Sequence, residues 1–350
     1  MKKLAMIGCN NFGGYHLDHL VQFKDIALAG FCDVLIDRAE GFVKKAGSGK
    51  AFSDFVRMYD EIKPDMLYIC VPPNCHGRIE FEAIRRGIPF YVEKPLALDA
   101  DLARELVRQV EKAGLIAASG FQCRYDSMNV IAREFIKTHP ILHVSGSRIG
   151  GLPKGLWGRI KTDSGGQLVE QTIHQMDMLR YLLEDEPDTV YSVASRGFIT
   201  QEELPGYFTD DFSTTLVTFK SGITATMLTG YYALSPSCWD SKLVFGSRTA
   251  RMDYRLITDL TLYGKDGDTA EDLAGVVPAE GAVRTADGTG ITVKSERDPG
   301  LESDRTFVDA VISGDASKIR SPYADAWKSV AFCLACNESM RTGQSVKVKY

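Results

Sequence analysis

The pattern of hydrophobic and polar positions changes texture near residue 140. Before it, short apolar runs alternate with longer helical stretches. K-L-A-M-I-G (3–8), I-A-L-A-G-F-C-D (26–33), M-L-Y-I-C-V-P-P (66–73), P-F-Y-V-E-K-P (89–95) and L-I-A-A-S-G (115–120) predict strands. D-A-D-L-A-R-E-L-V-R-Q-V-E-K-A-G (99–114) predicts a helix, with Leu102, Leu106 and Val110 recurring every fourth residue and Gly114 closing its end. Strands that alternate with helices predict a parallel, doubly wound sheet. Beyond residue 140 the runs become alternating and β-branched: L-H-V-S-G-S-R-I (142–149), D-T-V-Y-S-V-A-S-R-G-F (188–198), S-T-T-L-V-T-F (213–219), G-I-T-A-T-M-L-T-G-Y-Y (222–232) and S-K-L-V-F-G (241–246). Such alternation predicts a mostly antiparallel sheet with one covered face. The Gly-, Asp- and Thr-rich stretch from Gly264 to Gly300 reads as a hairpin-bearing excursion.

Length and composition narrow the class. A chain of 350 residues exceeds one ordinary core and divides naturally into two domains, here 1–122 and 123–350. Charged residues make up 25% and the formal net charge is -5, without a basic run, so no footprint for nucleic acid is present. Lys2 and Lys3 precede an apolar run of only L-A-M-I, too short for a signal peptide, and no run is long enough for a membrane span. The eight cysteines are scattered rather than spaced as a disulfide framework, which suits a reducing, cytoplasmic setting. Cys333 and Cys336 have ligand-like spacing, but no second pair stands nearby. The helical spacing of 326–340 reads them as core, and no metal site is expected.

The first strand runs into G-C-N-N-F-G-G-Y-H (8–16), a G-x-N-x-x-G variant of the dinucleotide fingerprint. Gly8 would make the tight turn, Asn10 with Asn11 and Phe12 would form the loop facing a pyrophosphate, and Gly13 would let helix and strand pack closely. Asn at the second position meets its requirement only partly, through its tolerance of unusual backbone angles. Twenty residues after Gly13, Asp33 ends the second strand, placed to accept from the adenosine ribose diol and so to favour NAD. Arg38 is the alternative, as a partner for the 2′-phosphate of NADP.

The fourth apolar run ends on Glu93-Lys94-Pro95. Proline cannot donate to a sheet ladder, so the two charges are held at a strand's carboxyl end, the edge where open parallel sheets bind ligands. Further on, G-G-Q-L-V-E-Q-T-I-H-Q-M-D (165–177) puts Glu170, His174 and Asp177 at i, i+4 and i+7, one face of a helix. An imidazole, with its ordinary pKa near about 6.5, suits a proton acceptor at neutral pH. The residues Ser164, Gly165 and Gly166 before it leave room for a ligand.

V-P-P-N-C-H (71–76), A-I-R-R-G-I-P-F-Y-V-E-K-P-L-A (83–97) and G-G-Q-L-V-E-Q-T-I-H-Q-M-D-M-L-R-Y-L (165–182), in that order behind the fingerprint, resemble the Gfo/Idh/MocA family of glucose–fructose oxidoreductase and inositol dehydrogenase relatives. The resemblance spans residues 3 to about 232 and, in outline, 322–349. It implies an amino-terminal Rossmann domain followed by an α+β domain with an open, mostly antiparallel sheet. It also implies hydride exchange between nicotinamide and a hydroxyl-bearing carbon of a sugar, inositol or sugar acid. On that resemblance Glu93 lies near the nicotinamide ribose, and Lys94 stands between nicotinamide and substrate, where a cation stabilises a developing alkoxide. Val71, Pro72, Asn74, His76 and Gln122 then belong to the cofactor side, with His16 as a cofactor-side or packing residue. His19, His139 and His143 receive no role.

Lys94, His174 and Glu170 are therefore the catalytic candidates. One departure is that family dehydrogenases carry Asp where this chain has Glu170. Lys94, Glu170, His174 and Asp177 are expected to meet substrate, with Arg124, Trp157, Arg159, Lys161, Tyr231 and Trp239 as further candidates. Aromatic faces suit sugar C–H surfaces and Arg suits a carboxylate. Two alternatives stay open: an NAD-dependent glycosidase working by transient oxidation and elimination, and a non-catalytic dinucleotide-binding regulator. The apolar alternation of 222–232 predicts a homodimer or homotetramer.

Overall fold

A computed structural model describes residues 1–278 and 281–350, so Ala279 and Glu280, within the expected excursion, lie outside the described residues. The chain forms two compact units, residues 1–122 with 300–328, and residues 123–299 with 329–350.

The first unit is built on six parallel strands, β1 (Lys2–Ile7), β2 (Ile26–Cys32), β3 (Lys50–Phe52), β4 (Met66–Ile69), β5 (Phe90–Val92) and β6 (Ala117–Ser119). Their order is β3-β2-β1-β4-β5-β6. The order reverses between β1 and β4, so the carboxyl ends of these strands flank the crevice where doubly wound sheets take their ligands. The helix Ala100–Ala113 matches its prediction: Asp99 caps it by accepting from Leu102 N, Leu106 and Val110 are buried, and Gly114 ends it at φ 58°. β3 was not expected, because only one of its three residues is buried and no apolar run marks it. Residues 300–328 pack in the first unit because Phe307, Val308, Ala310, Val311 and Ile319 join Leu4, Met6, Leu17, Phe31, Tyr68 and Tyr91 in one core cluster.

The second unit carries a ten-stranded sheet. Its strands are β7 (His143–Ile149), β8 (Pro187–Ser195), β9 (Phe212–Phe219), β10 (Thr224–Gly230), β11 (Asp240–Gly246), β12 (Arg251–Arg255), β13 (Asp259–Tyr263), β14 (Val283–Arg284), β15 (Gly290–Lys294) and β16 (Val346–Lys347). The order is β14-β15-β13-β12-β11-β7-β10-β9-β8-β16, antiparallel except for the β7–β10 pair. Burial alternates along β9 and β10, as the period-two pattern predicts, and Tyr191, Val193, Leu216 and Leu228 are exposed. The excursion after Gly264 contains the short helix Ala270–Ala274 and the β14–β15 hairpin. Cys333 and Cys336 are buried in the helix Tyr323–Thr342, where burial holds the Cys336 thiol up at about 12. Among the described residues, no helix is long and apolar enough to cross a membrane.

Candidate active site

In the first unit, tight packing explains the glycines of the loop after β1. Gly8 has φ +92°, and a Cβ there would stand 2.3 Å from Cys70 O; a Cβ on Gly13 would stand 2.2 Å from Gly8 O. Asn10 solves its position in a way not foreseen. Its backbone is extended, at φ -101°, so no unusual angle is used. Its side chain instead accepts from Phe12 N and Gly13 N, capping the helix Asn11–Leu20, and donates to Cys70 O at 2.8 Å, tying the loop to the end of β4. Asp33, at the end of β2, accepts from Cys9 N and Leu35 N, each at 2.9 Å. Its carboxylate is thereby fixed beside the glycine loop, and Arg38 Nη1 lies 3.9 Å away. A glycine turn with no space for Cβ, a helix start and an anchored carboxylate on the next strand are the parts a dinucleotide requires, so the residues fit NAD.

β5 ends at Val92, and Glu93, Lys94 and a cis Lys94–Pro95 peptide follow. Both charged residues are buried, Glu93 to 7% and Lys94 to 8% exposure. Lys94 Nζ lies 5.6 Å from the ring centroid of Phe12, so the ammonium stands beside the glycine loop. Glu93 Oε1 is 3.0 Å from His16 Nε2, and His16 Nδ1 is 2.8 Å from Asp304 Oδ1. Burial by itself favours a neutral ring, but the Asp304 and Glu93 carboxylates outweigh it and raise His16 to about 10. His16 is therefore an imidazolium at neutral pH. Val71 and Pro72 are half-buried after β4 and Asn74 is exposed. His76 Nδ1 meets Glu80 Oε1 at 2.5 Å, while its Nε2 is buried without a partner among the described residues. Gln122 opens a short turn (Gln122–Tyr125) after β6.

In the second unit the expected plain helix has a wide first turn. Gly165 and Gly166 have φ +79° and +78°, conformations that glycine adopts without strain. Leu168–Thr172 then forms a π-turn, and the α-helix runs from Ile173 to Leu183. The i, i+4 register assumed for Glu170 and His174 does not hold across i→i+5 bonding. Glu170 is buried and held by neutral donors: Tyr231 OH donates to Oε2 at 2.5 Å and Gln171 Nε2 to Oε1 at 3.1 Å. Arg148 Nη2 in turn donates to Gln171 Oε1 at 2.9 Å. Burial and the Glu170 charge raise the Tyr231 phenol well above its usual range, which keeps it a proton donor in this bond. His174 is half-buried.

The other candidates separate into engaged and open groups. Arg124 and Asp177 are brought together: Arg124 Nε and Nη2 donate to the Asp177 carboxylate at 2.8 and 2.6 Å, and Ser329 Oγ donates to the same carboxylate at 2.5 Å. Arg159 donates to the carbonyls of Pro153 and Pro205, and Lys161 pairs with Asp210. Trp157 lies on a short 3-10 turn, half-buried, and Trp239 is 53% exposed. Sequence reasoning missed Asp304 and His19, which join His16, and Arg148, which backs Gln171 and Glu170. The spacing of His16 and His19 on one helix was the available signal for the first cluster; nothing local pointed to Asp304.

Residues 2–121 match the oxidoreductase family with an NAD-binding Rossmann fold, and residues 140–348 match that family's C-terminal alpha/beta domain. The chain belongs to the Gfo/Idh/MocA oxidoreductase family, and its amino-terminal part is that family's NAD-binding Rossmann domain. It is similar to the myo-inositol 2-dehydrogenase of Thermotoga maritima, with 24% identity over 356 residues, covering 99% of this chain and 98% of that protein. It is also similar to the scyllo-inositol 2-dehydrogenase (NAD(+)) of Bacillus subtilis, with 29% identity over 226 residues, covering 63% and 64%. The crystal structure of myo-inositol 2-dehydrogenase from Lactobacillus plantarum shares the fold, with a TM-score of 0.78, 20% identity and 99% coverage of each chain.

Proposed function

We propose that the protein oxidises a hydroxyl-bearing carbon of a cyclic polyol, sugar or sugar acid. NAD, when bound, accepts the hydride. The observation that carries this reading is Lys94: an ammonium buried to 8% exposure directly after a core strand and beside the glycine loop through Phe12. A buried cation at the ligand-binding edge of a dinucleotide sheet suits stabilisation of a developing alkoxide. In this reading Lys94 stabilises that charge, His174 takes the hydroxyl proton, and Glu170 orients substrate hydroxyls from its Tyr231 support. The names of the inositol dehydrogenases above support a polyol, and exposed Trp239 offers an aromatic face for its C–H surface. Asp33, anchored beside the loop, supports discrimination against a 2′-phosphate, which would face a like charge.

Tyr191, Val193, Leu216 and Leu228 form an exposed apolar set on three neighbouring strands, which supports assembly through this sheet as a homodimer or homotetramer. The eight free thiols support a reducing, cytoplasmic location.

The test is a panel of inositols, sugars, sugar acids and aryl glycosides, followed both by NADH absorbance and by aglycone release. NADH accumulation with a polyol or sugar is the expected outcome. Aglycone release without net NADH would replace this reading with a glycosidase, and NAD binding without turnover on any member would replace it with a regulator.

A further inference from the structure

A chain of buried polar contacts in the first unit lies behind Glu93. Glu93 Oε1 meets His16 Nε2 at 3.0 Å, His16 Nδ1 meets Asp304 at 2.8 and 3.0 Å, and Asp304 Oδ2 meets His19 Nδ1 at 2.7 Å. Asp304 and His16 are fully buried, and Glu93 and His19 are nearly so. These are hydrogen-bond separations; ligand atoms sharing a tetrahedral zinc at about 2.0 Å would stand roughly 3.3 Å apart. The cluster is thus knit by shared protons.

Among the described residues, Tyr15 from its own helix, Tyr68 from β4, Tyr91 and Glu93 from β5 and its end, and Asp304 from the helix Pro299–Ser313 stand against His16, while His19 shares the Asp304 carboxylate and Cys70, after β4, lies near Glu93 and Asp304. The tyrosine rings stand with centroids 5.2 to 5.5 Å from that of His16. Burial and the Glu93 and Asp304 charges push the Cys70 thiol well above its ordinary range, so it adds no charge here. Gly120 lies against the same oxygen, since a Cβ there would stand 2.2 Å from Oε1.

We infer that Asp304 is a positioning residue for the cofactor: it holds His16 as a cation, and that cation fixes the Glu93 carboxylate toward the nicotinamide end of NAD. The inference rests on the proposed function in one respect, that Glu93 faces the bound dinucleotide. A buried imidazole would otherwise lose its proton, and Glu93 would then face a ring that need not donate to it. Asp304 itself touches no substrate in this account, and its effect passes through His16.

The test uses the whole protein and its Asp304→Asn and Gly120→Ala variants, each checked for folding by circular dichroism. NADH and ADP are titrated separately, because ADP lacks the nicotinamide end. Imidazole protonation is followed by NMR, which is tractable with six histidines. In wild type one imidazole is expected to stay protonated well above pH 8; in Asp304→Asn that ring should titrate at least one unit lower. NADH affinity should fall about tenfold or more in both variants, with ADP affinity unchanged. Equal losses for NADH and ADP would overturn the inference in favour of a purely structural role. So would unchanged NADH affinity in Asp304→Asn, or a His16 ring that titrates alike in both proteins. Wild-type protein that binds no NADH would instead bring down the functional reading itself.

Discussion

Two buried carboxylates, Glu93 in the first unit and Glu170 in the second, are held in opposite ways. Glu93 meets an imidazolium that a further carboxylate keeps protonated. Glu170 meets a phenol and an amide, both neutral. A charged partner fixes a carboxylate strongly, whereas phenol and amide donors orient it through weaker bonds. The first arrangement suits a group that positions a cofactor; the second suits one that orients substrate hydroxyls. The second unit does contain a buried ion pair, Arg124–Asp177, and Ser329 and Arg180 close it into a network, with Arg180 Nη1 2.7 Å from Ser329 Oγ and 4.0 Å from Asp177 Oδ1.

That closure gives the largest expected effect. Arg124→Ala removes the bidentate partner of the buried Asp177 carboxylate, leaving only Arg180 at 4.0 Å, and should lower stability by about 3 kcal/mol, read from denaturant unfolding. If stability is unchanged while the substrate KM rises steeply, Arg124 belongs to the substrate and the contrast between the units fails. A smaller effect tests the neutral support of Glu170. Tyr231→Phe removes one donor and should lower kcat about tenfold, the scale of one lost hydrogen bond to a charged group, with NAD affinity unchanged. Glu170→Asp shortens the arm that Tyr231 reaches and should cost about as much. Improved turnover in Glu170→Asp would mean that the longer side chain only detunes the site, and that Tyr231 is not its support.

Much of this organisation could be read from the sequence where a period repeats. The five predicted Rossmann strands and the five predicted strands of the second sheet all lie where the apolar pattern placed them, and even the three-residue β5 and β6 were legible because every residue in them is buried. β3, with one buried residue in three, offered no such run, and β12 and β13, five residues each, were not foreseen either. The fingerprint glycines were legible because steric demands on them are local, and Asn10 was legible as a loop residue but not as a cap. The π-turn at Leu168–Thr172 was invisible, since one-residue widening of a helix leaves no compositional trace. Asp304 was beyond reach for another reason: its partner His16 lies 288 residues away, and only tertiary packing of the returning helix joins them.

The central claim is that Lys94 and His174 carry the proton chemistry of an NAD-dependent oxidation. Its most direct test is turnover of the best panel substrate by Lys94→Ala and His174→Ala, measured alongside NAD affinity. Each variant should lose about a hundredfold or more in kcat with NAD affinity nearly intact, and the double variant should lose far less than the product of the two. Full activity in both single variants, with wild type turning over, would contradict the account.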